Sequence, residues 1–232
     1  MHLPTTMTSP PHEHIDDFTA HEWCNELLSD PTITHISKRH IPDNRKGVSN
    51  TFFARTLFTD DAIRAFLSLY RPGKGHTREV DNTIIFTGSA PIHDTPHAGR
   101  YEVEAKRQQA KEDIAFDLAD PSAAEAIILV SIGSDIDGGV RRLHGGVTAS
   151  LLDQVMGTLL SYYYENTSAT SELNVKYKKA IATPCILKVR AKLVREKGRW
   201  VETWGSVEDG RGTVFAEGSG AFVLEKVGVA KM

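Results

Sequence analysis

The stretch GGVTASLLDQVMGTLLSYYY, Gly145 to Tyr164, constrains this chain more than any other, because its residues are nearly all small or apolar and its one charge is Asp153. A helix over about 146–165 would be roughly 30 Å long and would have no polar face broad enough for water. It therefore has to be enclosed, and its neighbours supply the enclosure. Upstream, AEAIILVSIG is a short run of the fully buried strand type. Downstream the patterning switches to period two. In LNVKYK, Leu173, Val175 and Tyr177 alternate with Asn174, Lys176 and Lys178. In LKVRAKL, Leu187, Val189, Ala191 and Leu193 alternate with Lys188, Arg190 and Lys192. RWVETWGSV and TVFAEGSGAFVLEKV complete the set, and REKGRW and EDGRGT are hairpin turns with glycine where a positive φ is needed. The expected architecture is α+β: a strand, a long helix and four antiparallel strands, the sheet wrapped around the central helix. The glycines of GSG at 218–220 fit close packing of a strand against that helix.

The first half reads differently. DFTAHEWCNELLSDP predicts a helix with Thr19 as its cap, Trp23, Leu27 and Leu28 on one face, and Pro31 closing it. FTDDAIRAFLSLYRPG predicts a second amphipathic helix, capped by Thr59, with Asp60 and Asp61 at its positive end and Ile63, Phe66, Leu67 and Tyr70 on its apolar face. Residues 71–100 read as a connection apart from a strand-like TIIF, and YEVEAKRQQAKEDIAFDLAD fits a solvated helix or disorder. The expected organisation is a disordered leader over 1–16, an N-terminal helical extension and linker over 17–123, and the helix-and-sheet domain over 124–227.

Several function classes lose support on composition. A net charge of -3 gives no electrostatic case for nucleic acid or for a membrane surface. No uninterrupted apolar run meets the roughly 20 residues of a membrane span. Residues 1–16 have neither a secretory h-region nor an Arg-rich transit face, and Cys24 and Cys185 suggest no disulfide framework, so a cytoplasmic location is expected. None of the ten histidines stands in a metal-ligand spacing, and no metal or cofactor is expected. Neither G-x-S-x-G nor a strand followed by G-x-G-x-x-G occurs.

His144-Gly145-Gly146, an aspartate eight residues after the first of these glycines, and then TSELNVKYKKAI together resemble the hotdog-fold thioesterases, above all the acyl-CoA thioesterases of the thioesterase-superfamily-member type. The resemblance covers about 124–227 and more weakly 18–72. It implies a hotdog fold with Asp153 as catalytic carboxylate, acting as general base on water or as nucleophile on the thioester carbonyl. It also implies that a backbone N–H of Gly145 or Gly146 polarises that carbonyl, that Thr170 orients the attacking water, and that His144 supports the turn. A homodimer or a dimer of dimers is implied, with Asp153 facing Gly145 and Thr170 of a partner chain.

The chemistry is consistent with these roles. A helix start offers unpaired N–H groups and a positive dipole end to the oxyanion of thioester hydrolysis. Gly157, one turn beyond Asp153, removes a side chain beside it. Arg141, Arg142, Lys176, Lys178 and Lys179, with Arg195, Lys197 and Arg199 further on, are candidates for the phosphates of coenzyme A or for an acidic carrier protein.

The run before the histidine, DIDGGVRRLHGG, departs from the family pattern. Gly138 stands where relatives have an asparagine and Arg141 where they have a glycine, so a side-chain oxyanion donor is missing. The expected function is hydrolysis of acyl-CoA or of carrier-bound acyl or polyketide thioesters. The alternatives are a non-catalytic acyl-binding hotdog module and a hotdog dehydratase or product-shaping enzyme of a biosynthetic pathway.

Overall fold

The computed structural model describes residues 12–39, 51–77, 106, 108–109 and 111–226. Most of the expected leader, the TIIF segment at 83–86 and most of 101–110 lie outside these. In chain order the elements are α1 (Asp16–Thr19), α2 (Glu22–Ser29), β1 (His35–Lys38), β2 (Ile63–Arg71), β3 (Asp113–Ala115), β4 (Glu125–Ile132), β5 (Asp137–Gly139) and β6 (Arg142–Leu143). There follow α3 (Gly145–Tyr164), β7 (Ser168–Tyr177), β8 (Cys185–Lys197), β9 (Trp200–Glu208) and β10 (Val214–Leu224).

The long helix forms as its sequence requires. Leu151, Leu152, Val155, Met156, Leu159 and Leu160 of α3 are all 0% exposed, each such burial contributing about 1.5–3 kcal/mol. They are enclosed by an antiparallel sheet in the order β1-β2-β4-β8-β9-β10-β7, with β3 added to β8. Close approach of helix to sheet depends on the expected glycines. A Cβ on Gly220 would lie 2.7 Å from the sulfur of Met156, and one on Gly218 would lie 3.2 Å from Leu152. The turn glycines Gly198, Gly210 and Gly212 have the expected positive φ. This is a hotdog fold, an antiparallel sheet around a central helix with a helical part at the N-terminal side.

One expected helix is instead a strand. Residues 63–71, read as an amphipathic helix, form β2, which pairs antiparallel with both β1 and β4. Thr59 caps no helix; its hydroxyl accepts the Ala62 N–H at 2.9 Å, closing a turn. The sequence misleads because β2 is buried on both faces. Phe66 and Tyr70 join the core around α3, while Ala65, Leu67 and Leu69 join a second core under α1 and α2. A strand covered on both faces loses its period-two signature, and a spacing of three or four then appears by accident. A smaller correction concerns α2, whose N-cap is His21 rather than Thr19, the last residue of α1. Of the charged segment after residue 100, Asp113–Ala115 settles as β3.

The outer layer is fastened by a buried ion pair. Arg39 donates to Glu13 at 2.7 Å and to the carbonyls of Phe53 and Ile63 at 2.8 and 3.0 Å. Its guanidinium also lies 3.8 Å over the Phe58 ring. The two charged side chains are 3% and 9% exposed. Removing one partner of such a pair strands a buried charge, which costs about 3–5 kcal/mol. Glu13→Ala is therefore expected to lower the unfolding free energy by about that amount in urea titrations; a loss under about 1 kcal/mol would show that the pair is as weak as a surface one.

Candidate active site

The start of α3 is held from three sides. The hairpin of β5 and β6 leads into it, and Leu143 and His144 donate their backbone N–H groups to Ile181 and Ile136, each at 3.0 Å. Thr183 donates its hydroxyl to Asp137 at 2.6 Å, tying the 181–183 loop to the same hairpin. Gly138 is packed so closely that a Cβ there would lie 3.0 Å from the Cα of His144, so the missing side chain makes room for this histidine. Arg141 has a φ of 51°, the left-handed region that favours glycine.

His144 is the N-cap. Its Nδ1 accepts the Gly146 N–H at 2.9 Å, and its carbonyl accepts the N–H groups of Val147 and Thr148 at 3.0 and 3.2 Å. The N–H of Gly145 makes no hydrogen bond among the described residues. The tyrosine hydroxyl of Tyr177 donates to the Gly145 carbonyl at 2.9 Å, laying the ring against the helix start. A cavity of about 480 Å³ opens here, lined by Arg142, His144, Gly145, Tyr177, Lys178 and Lys179 over an apolar floor that includes Leu143, Ile181 and Phe215.

Asp153 lies two turns further along. It is half-buried, and its Oδ1 accepts the hydroxyl of Thr170 at 2.7 Å. This bond lies within one chain, which corrects the expectation that Thr170 would reach Asp153 from a partner. The alignment depends on an irregularity in β7. Glu172 pairs with Ala221 but Thr170 pairs with Phe222, so Ser171 is an extra residue. Strict alternation would put Thr170 on the face of Glu172 and Asn174. The bulge instead returns it to the face of Leu173 and Val175, which pack against the core. Beside the carboxylate, a Cβ on Gly157 would meet nothing within 4 Å, so the expected open space exists.

The basic residues separate into groups. Arg142, Lys178 and Lys179 line the cavity, whereas Arg141 and Lys176 do not. Lys178 is also paired with Glu217 at 2.5 Å, while Lys179 makes no ion pair among the described residues. Arg195 and Lys197 are drawn to Asp113 at 2.6 and 3.5 Å, and the Arg195 guanidinium holds the Asp113 carboxyl down at about 2. Arg199 donates to the Leu224 carbonyl at 3.1 Å. Tyr177 and Thr148 enter the cavity wall without having been singled out in the sequence. Tyr177 was hidden as one more apolar position of an alternating strand, and Thr148 as one more small residue of the helix.

Residues 141–216 match the family described as "Thioesterase superfamily". No curated protein matches the chain. Among solved structures, the chain is similar to a thioesterase superfamily protein at 26% identity and a TM-score of 0.40, covering 43% of this chain and 48% of that one. It is similar to a Bacillus halodurans protein solved with CoA at 29% identity and a TM-score of 0.40, covering 43% of this chain and 66% of that one. A conserved Pseudomonas aeruginosa protein is similar at 22% identity and a TM-score of 0.41, covering 51% of this chain and 92% of that one. The chain thus spans about half the length of the first of these and just under two thirds of the second.

The cap bond of His144 can be measured directly. His144→Ala is expected to cost about 1 kcal/mol of stability in denaturant unfolding, and His144→Asn, a good N-cap, to recover most of it. Equal losses in both variants would mean that the imidazole acts through packing instead.

Proposed function

We propose that this chain hydrolyses thioesters, with Asp153 as the reacting carboxylate, a reading that the match of residues 141–216 to the thioesterase superfamily supports. The observation that carries this reading is the 2.7 Å bond from Thr170 to Asp153, in a helix that otherwise keeps no charge. In the proposed reaction Asp153 takes a proton from water, or itself attacks, at the thioester carbonyl. Thr170 keeps one carboxylate oxygen fixed and leaves the other to react. The Gly145 N–H receives the oxyanion, since the Gly146 N–H is already occupied by His144. On the base route water adds, the proton held by Asp153 passes to the leaving thiolate, and thiol and free acid depart. On the nucleophilic route the thiolate leaves an anhydride on Asp153, which water hydrolyses to the free acid while protonating the thiol.

Asp153 and Gly145 lie on one helix about 12 Å apart along its axis, whereas base and oxyanion donor must both come within about 3 Å of the reacting groups. One copy therefore cannot present both to one carbonyl. This supports a homodimer or a dimer of dimers in which the carboxylate of one copy serves the helix start of another. The sheet edge at β7, which carries Thr170 and Tyr177, is the natural seam. Arg142 and Lys179 at the cavity mouth suit an anionic carrier group, coenzyme A or a carrier-protein arm, and the apolar floor suits the acyl chain.

The test is release of free thiol across acyl-CoAs of different length and aromaticity. Asp153→Asn is expected to lower kcat by about a hundredfold to ten-thousandfold with the fold and oligomer unchanged. Thr170→Val should cost roughly tenfold, the worth of one hydrogen bond to a charged group. Undiminished turnover by Asp153→Asn would overturn the proposal.

A further inference from the structure

Near the start of β2, three side chains converge that no part of the proposed chemistry uses. The ligand atoms of His12, His14 and Asp60 all lie within 4.8 Å of one another. The two imidazole rings are 4.2 Å apart between centroids, and Nε2 of His14 lies 2.8 Å from Oδ1 of Asp60. Sequence spacing gave no hint of this grouping, because Asp60 stands 46 residues from His14.

The segment that carries the histidines is anchored through the residue between them. Glu13 accepts from Arg39 at 2.7 and 3.2 Å and from the backbone N–H of Phe66 at 2.9 Å. The backbone N–H of His14 donates to the Arg64 carbonyl at 3.2 Å. The Ile15 N–H turns back to the Glu13 carbonyl at 2.9 Å, and with Glu13 held inward the imidazole of His12 is exposed and that of His14 half-buried beside it. Asp60 is held as well. It belongs to the turn closed by Thr59, and its own carbonyl accepts from Arg64 at 2.7 Å. Arg64 is paired with Asp17 at 2.9 Å, and the Asp60 carboxylate meets His14. The backbone on either side of the three donors is thus fixed by other residues, while their side chains meet one another at His14 and Asp60.

We propose that His12, His14 and Asp60 bind a divalent transition-metal cation of the zinc type. Two imidazoles and a carboxylate are the donor set that such cations prefer, over the all-oxygen sets of calcium or magnesium. Ligand atoms around tetrahedral zinc stand roughly 3.3–3.5 Å apart, given bonds of about 2.0–2.1 Å. The present spacing reaches that by small rotations of side chains, of which His12 and Asp60 are exposed. Water completes the coordination. The bound cation clamps the segment before α1 to the 59–62 turn. That turn is pressed against Gly133, where a Cβ would lie 2.1 Å from the Asp61 carbonyl, and Asp135 donates its N–H to the same carbonyl at 2.8 Å. The clamp therefore sits directly behind the hairpin of β5 and β6.

The test uses the full chain, freed of metal with a chelator and titrated with zinc chloride by calorimetry. One zinc per chain is expected, with a Kd of about 10 µM or tighter, together with a zinc-dependent rise in Tm. His12→Ala and Asp60→Asn should each weaken binding at least tenfold and abolish the rise in Tm, while their metal-free Tm stays near that of the metal-free parent. Zinc binding of unchanged affinity and stoichiometry in both variants would overturn the proposal, as would no heat of binding at 100 µM zinc. Neither readout depends on thioester hydrolysis.

Discussion

Everything in this molecule follows from the need to keep α3 out of water. A twenty-residue helix with one charge cannot lie on a surface, so the sheet must curve around it until little of its circumference is left. The curvature demands close contact, and glycine supplies it where β10 crosses Leu152 and Met156. The wrap ends at β7, an edge strand with most of its residues exposed. Asp153 sits on the side of α3 that faces this last strand. The only charge in the helix therefore lies on a half-buried stripe of α3, and a hydroxyl from the strand meets it.

The C-terminal half was legible because there each element has one wet and one dry face, or is dry throughout. Alternation in β8, the turn glycines and the apolar α3 each have a single physical solution. Three features resisted for identifiable reasons. β2 has two dry faces, since α1 and α2 cover the side that α3 does not, and residues 63–71 carried no trace of that second layer. The bulge at Ser171 changes which face Thr170 occupies without any glycine or proline to announce it, and it brings Thr170 to Asp153 of its own chain where a partner's had been expected. Tyr177 has its role only because the strand end meets Gly145, a relation across 32 residues that no local pattern encodes.

The helix start shows how a site is narrowed by what is already spent. Two glycines offered two equivalent N–H groups in sequence. His144 removes that equivalence by accepting from Gly146, and its carbonyl takes the next two donors. What is left is a single N–H at the mouth of a cavity flanked by Arg142 and Lys179. Gly138 takes part by absence, since any side chain there would displace the capping histidine. The volume at this position is given to His144.

The outer layer is small, and its apolar contacts are joined by charged ones. α1 and α2 together are barely three turns, and to the apolar core beneath them the chain adds ion pairs: Asp17 with Arg64, Glu13 with Arg39, and Asp30 with Arg71. Arg71 in turn shares the buried carboxylate of Glu125 with Arg190. Apolar contacts tolerate sliding, whereas charge-assisted hydrogen bonds fix direction and register. That precision has a use in the fold. Residues 59–62 close against 133–135, the strand end from which the hairpin carrying His144 departs, and the carbonyl of Asp61 occupies the space that a side chain on Gly133 would need. A layer free to slide would move that contact and with it the capped helix start, so the ionic fastening on the outside of the sheet helps to define the geometry of the site.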